Sequence, residues 1–117
     1  MDIETLREYA LSKNAVTEET PFGDDVLVYK VSGKIFMMMN FETPFEVSLK
    51  CNPELAVEYR EHYESVNPGF HMNKTHWNTV TSNGDVNLAL MKKMIDHSYD
   101  LIVDSLPKSL KNKPGKG

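Results

Sequence analysis

The apolar positions of the chain change period several times, and each change marks an element. Behind Asp2, an N-cap residue type, Ile3, Leu6, Tyr9 and Ala10 recur at helical spacing with Leu11 beside them. That helix is expected to end near Lys13-Asn14, since Asn tolerates a left-handed exit. "AVTEETPFGDD" begins extended around Val16 and breaks at Pro21 and Gly23. "VLVYKVSGKIFMMMNF" reads as strands over 26–31 and 34–41, joined by a Ser32-Gly33 hairpin turn. The Met37-Met38-Met39 run is apolar on both faces, so its strand is expected to be central and covered by a helix. Residues 45–51 alternate Phe45, Val47, Leu49 and Cys51 inward with Glu46, Ser48 and Lys50 outward.

Asn52-Pro53-Glu54 is a helix start: a cap, a proline in the first turn, and an acid at the positive end of the dipole. Leu55, Val57, Tyr59 and Tyr63 follow, and Asn67-Pro68-Gly69 stops the helix. A strand is expected over 76–80, closed by Ser82-Asn83-Gly84. Asp85 then caps a last helix with the stripe Leu88, Met91, Ile95, Ile102 and Leu106, ended by Pro107. The order α-β-β-β-β-α-β-α with short early turns predicts an α+β fold, a two-layer sandwich of an antiparallel sheet with helices on one face. Residues 1–106 form one domain, and the Lys-rich tail 107–117 has no apolar stripe and is expected to be mobile.

Charge alters this picture once it is divided. The 117 residues carry 13 basic and 17 acidic groups, but four lysines and no acid lie in 107–117, so the first 106 residues carry a net charge of −8. Such a body repels nucleic acid at long range, and any contact with phosphate needs a local basic patch. The single cysteine, Cys51, precludes an internal disulfide and fits a reducing cytosol, so a cytoplasmic location is expected. There is no apolar run long enough to span a membrane, and "MDIETLREYALSK" lacks the layout of a signal peptide.

Candidate chemistry is sparse. His71 and His76 are five apart and on a regular strand point opposite ways; only a loop over 69–74 could bring them together, with His62 or His97 joining through the fold, so no metal site is expected. Cys51 precedes a helix N-terminus, where a thiolate is favoured, but the alternation puts its sulfur with the core. None of the common nucleophile, phosphate-loop or dinucleotide motifs is present, so no enzyme, metal or cofactor is expected. What remains is basic: Lys30 and Lys34 flank the hairpin turn, Lys50 points outward at a strand end, and Lys74 lies among Asn73, His71, His76 and Trp77. Lysines with polar and aromatic neighbours are the groups that contact phosphates and bases.

The strings "ETPFGDDVLVYKVSGKIF" (19–36), "VSLKCNPELA" (47–56), "PGFHMNKTHWNTV" (68–80) and "MIDHSYDLIVDSLPK" (94–108) together resemble the MmcQ/YjbR family of small bacterial proteins. The resemblance runs from the first helix to Pro107. It implies a fold similar to the frataxin-like (CyaY-like) group and a DNA-binding protein with a double-wing arrangement. The wings would be the 26–41 hairpin and the region from Lys50 through Lys74. Where the family pattern often has a second lysine, this chain has Thr75. Within the signature, Gly69 is expected to allow a sharp entry after Pro68, Trp77 to anchor the strand to the helical layer, and Asn78 to hold the Gly84-Asp85 turn. His71, Asn73, Lys74 and His76 are left to face a partner.

Three readings follow. In the first, Lys30, Lys34, Lys50 and Lys74 contact the phosphates of double-stranded DNA without catalysis. In the second, a protein-partner or chaperone-like module presents its sheet, with the Met37–Met39 run as an adaptable surface. In the third, by analogy to frataxin, the acidic first helix and residues 18–25 bind a divalent metal.

Overall fold

The computed structural model describes residues 1–69 and 72–111. The chain forms α1 (Ile3–Leu11), β1 (Val16–Glu19), β2 (Val26–Val31), β3 (Lys34–Asn40), β4 (Glu46–Lys50), α2 (Pro53–His62), β5 (Val66–Pro68), β6 (Trp77–Thr81), α3 (Leu88–Asp104) and α4 (Lys108–Lys111). The strands pair antiparallel in one six-stranded sheet of order β1-β2-β3-β4-β6-β5. Helices α1, α2 and α3 cover one of its faces, giving the two-layer α+β architecture that the periodicity predicts. Two short elements go beyond the expected order. The first is β5, too short to carry a period, and Pro68 is tolerated there because β5 is an edge strand. The second is α4, a single turn at the start of the tail; residues 112–117 lie outside the described ones.

The core lies between the sheet and the helices. Leu6 and Ala10 of α1 and Met91, Ile95 and Ile102 of α3 meet Tyr29, Val31, Met37, Met39, Val47, Leu49 and Val80 of the sheet. Ser32 and Gly33 take φ of +49° and +83°, and this left-handed two-residue turn matches the twist of the strands it joins. A bulge opposite Tyr29-Lys30 turns both Phe36 and Met37 toward the helices, and Phe36 meets the Tyr99 ring edge-on at 5.3 Å.

Three local expectations need correction. Asn87, not Asp85, caps α3, its side chain accepting from the Leu90 amide at 2.8 Å. Asp85 instead accepts from the amides of Glu64 (2.9 Å) and Ser65 (3.1 Å) and from Ser65 Oγ (2.6 Å), tying the entry of β5 to the end of β6. Asn78 is buried, and its Nδ2 donates to the Ala56 carbonyl of α2 at 3.2 Å rather than holding the Gly84-Asp85 turn. Trp77 faces away from the helices. Asn78 pairs with Leu49, a core residue, so alternation sends Trp77 and its partner Lys50 to the opposite face. The reason for glycine at position 69 is close approach: a Cβ there would stand 2.7 Å from Trp77 Cβ and 2.9 Å from its carbonyl oxygen. The Gly69 amide donates to that same oxygen at 2.7 Å.

Candidate nucleic-acid interface

Antiparallel pairing gathers the lysines singled out in the sequence at one end of the sheet. Val31 of β2 faces Lys34 of β3, Lys50 of β4 faces Trp77 of β6, and the Cys51 amide donates to the His76 carbonyl at 2.7 Å. The C-terminal end of α3 reaches the same end, since Lys34 Nζ lies 3.5 Å from Ser105 Oγ. Lys108 of α4 follows directly. The opposite end, where Val26, Asn40, Glu46 and Thr81 line up, collects Asp24, Asp25, Glu42, Glu46, Glu64 and Asp85. Glu54, in the first turn of α2 and four residues after Lys50, and Asp100 and Asp104, late in α3, are acids toward the basic end, and Lys92 and Lys93 lie in the early turns of α3.

The individual lysines differ in how free their charges are. Lys30 Nζ is 3.0 Å from Glu19 Oε1 on the neighbouring strand, and this pairing holds the Glu19 carboxyl below its ordinary value. Lys34 is exposed at the C-terminal end of α3, where a cation complements the helix dipole. Lys50 is half-buried beside Trp77 on the face away from the helices. Lys74 is exposed and borders a shallow depression of about 470 Å³ with Arg60, Val57 and Pro68. Among the described residues Lys34, Lys50 and Lys74 have no carboxylate within ion-pair distance. Arg60 carries no motif in the sequence and is brought to Lys74 only by the packing of α2 against the edge of the sheet.

The signature loop is partly structural. Asn73 Oδ1 accepts from the amides of Thr75 (2.8 Å) and His76 (3.3 Å), so its side chain is committed to the turn that presents Lys74. The His76 imidazole is exposed while its backbone is tied to Asn73 and Cys51. His71 lies outside the described residues. The 26–41 hairpin is no free-standing wing: β1 and β4 flank it on both sides, and only its tip projects.

Several titratable groups elsewhere have structural partners. Burial pushes the Cys51 thiol up to about 11, with nearby Arg60 opposing, so the sulfur is protonated at neutral pH. Burial also raises Glu18, but hydrogen bonds from Arg7 Nε (2.7 Å) and Tyr29 OH (2.6 Å) outweigh it and hold this carboxyl below its ordinary value. Burial followed by that carboxylate pushes Tyr29 far above the usual phenol range. Glu4 pairs with Arg7 at 3.1 Å and Asp2 caps α1 through the Thr5 amide at 2.7 Å. Among the described residues no three His, Cys, Asp or Glu side chains come together as a metal would require. No described helix is long and apolar enough to cross a membrane.

Comparison with known proteins gives a consistent set of relatives. The YjbR family model matches residues 11–101. The uncharacterised protein YbdF of Escherichia coli O157:H7 is 37% identical over 107 residues, covering 90% of this chain and 87% of that protein. The uncharacterised protein YjbR of Escherichia coli K12 is 32% identical over 108 residues, covering 92% of each. Among solved structures, a Deinococcus radiodurans protein with a DUF419 domain superposes with a TM-score of 0.89 at 31% identity, covering 97% of this chain and 87% of that one. A Pseudomonas syringae protein gives 0.75 at 26% identity, covering 86% of this chain and 98% of that one.

Proposed function

This chain belongs to the YjbR family, and from that starting point we propose that it is a non-catalytic DNA-binding protein. Lys34, Lys50 and Lys74, joined by Arg60, contact backbone phosphates from one end of the sheet. The observation that carries this reading is the segregation of charge along the strands. β2 and β3 are six and seven residues long, so the acidic end lies about 20 Å from the basic one. At physiological salt the screening length is about 8 Å. A phosphate at the lysines is therefore screened from the acids of that far end, while Glu54 in the first turn of α2 and Asp100 and Asp104 late in α3 stand nearer. Lys30 contributes little, because Glu19 already neutralises it.

Contacts of this kind carry no base specificity by themselves; the exposed His76 imidazole and the hairpin tip are the groups beside them able to reach a groove. The Met run gives the protein-partner reading little support, because Met37 and Met39 are buried under the helices and Met38 is only 9% exposed; its other motive, the net charge of −8, remains.

The test is fluorescence anisotropy of a labelled duplex. Three to four phosphate contacts predict that affinity falls roughly 40- to 150-fold between about 50 and 200 mM salt. The double variant Lys50→Glu/Lys74→Glu loses binding, whereas Lys30→Gln leaves it nearly unchanged. Affinity that ignores salt, or that survives the double variant, would overturn the reading. Binding that disappears on removal of 107–117 alone would assign it to the four tail lysines instead.

A further inference from the structure

The sheet face turned away from the helices holds a cleft near the acidic end, apart from the lysines. Alternation aims Val26, Met38 and Ser48 out of that face, and they floor a cleft of about 360 Å³. Phe22, from the β1–β2 connection, and Met72, from the β5–β6 connection, form its walls. The volume falls within the range of about 300–1,000 Å³ typical of small-ligand sites. Phe22 is 65% exposed, so an apolar ligand would cover ring surface now in water.

The polar groups select the charge of the occupant. Ser48 Oγ is engaged with Thr79 Oγ1 at 3.2 Å. Asn40 Oδ1 accepts from the amides of Glu42 (3.2 Å) and Glu46 (2.9 Å), and its Nδ2 donates to Glu46 Oε1 at 3.1 Å. The second carboxylate oxygen of Glu46 has no hydrogen-bond partner among the described residues, and no Lys or Arg lies within ion-pair distance of that carboxylate. Glu46 is thus a fixed negative group at the edge of an apolar cleft, with Asp24, Asp25 and Glu42 near by in the chain or across the strands. An anion is repelled there, whereas a cation gains an attraction to Glu46 that a neutral molecule does not.

We propose that this cleft binds a small organic cation. Its apolar, preferably aromatic, body packs against Met38, Met72 and Phe22, where thioethers and a ring offer soft contacts, and its protonated amine meets Glu46. The site uses none of the lysines at the other end, so it stands or falls independently of DNA binding.

NMR of methyl-labelled methionines tests it, with tryptamine as the cation and tryptophol as its neutral counterpart of similar shape. Tryptamine is expected to shift the Met38 and Met72 methyl signals saturably and to leave Met91, a buried residue of α3 on the other side of the sheet, unmoved. Tryptophol is expected to bind about ten-fold more weakly, the usual range for losing a charge-assisted hydrogen bond. Glu46→Gln should weaken tryptamine by a similar factor and leave tryptophol unchanged. No saturable shift, equal affinity for amine and alcohol, or undiminished tryptamine binding to a folded Glu46→Gln variant would overturn the proposal. Should that variant fail to fold, the amine-to-alcohol ratio on the unaltered protein decides.

Discussion

Ser98 makes two hydrogen bonds that the sheet cannot. Its Oγ donates to the Phe36 carbonyl at 2.6 Å and accepts from the Lys50 amide at 2.9 Å, where the β3–β4 ladder ends above Leu49. The residue is fully buried, so no bulk water can replace it. Ser98→Ala therefore leaves a donor and an acceptor unpaired and should cost about 2 kcal/mol in urea unfolding. A loss below about 0.5 kcal/mol, the size of an ordinary surface substitution, would mean that both groups find other partners. Nothing in the sequence marks Ser98, because a serine on a helix stripe looks like a tolerated small residue until the strand end beneath it is known. Cys51 was legible by contrast: the alternation of Phe45, Val47, Leu49 and Cys51 put its sulfur inside, and burial there is what raises its pKa.

At the scale of elements, the helix starts show how far local rules reach. Asn52-Pro53-Glu54 begins α2 as its residue types predict, with Asn52 accepting from the Glu54 amide at 3.0 Å. At α3 two cap residues compete within three positions, and propensity alone cannot choose between Asp85 and Asn87. The choice falls to the neighbouring strand, whose Glu64 and Ser65 amides capture the Asp85 carboxylate. Hydrogen exchange separates the two roles. Asn87→Ala should destabilise the protein by about 1 kcal/mol and speed exchange at the Leu90 amide. Asp85→Ala should instead expose the Glu64 and Ser65 amides and leave Leu90 protected. The reverse pattern would restore Asp85 as the cap.

For the whole molecule, the carboxylates determine behaviour in acid. Asp2 is lowered by its bonds with Thr5, Asp85 by those with Ser65, and Glu19 by Lys30, while Glu18 is lowered despite burial by Arg7 and Tyr29. A folded pKa below the unfolded value contributes stability in full above the unfolded value and loses it as the pH falls through the folded one. The unfolded values are 3.8 for Asp and 4.5 for Glu. Urea midpoints should therefore fall steadily as the pH drops from about 4.5 toward 2. A flat profile across that window would show that these bonds do not favour the charged forms. The same arrangement of charge biases the molecule, with Asp24, Asp25, Glu42, Glu46, Glu64 and Asp85 at one end of the strands and the unpaired Lys34, Lys50 and Lys74 at the other.

The sequence by itself determined what depends on neighbours along the chain. The two longer helices, the Ser32-Gly33 hairpin, the alternating strand over 45–51 and the central, covered Met strand all follow from period and turn chemistry, because those forces act over a few residues. Tertiary structure alone decided what depends on register and on segments far apart in sequence. Register moved Trp77 to the face away from the helices and paired Lys30 with Glu19, and packing of α2 against the sheet edge brought Arg60 beside Lys74. The path of the connecting loops set Phe22 and Met72 around one cleft with Met38 although they lie up to 50 residues apart. A one-residue slip in pairing sends a side chain to the opposite face, so no local pattern could have supplied those neighbours.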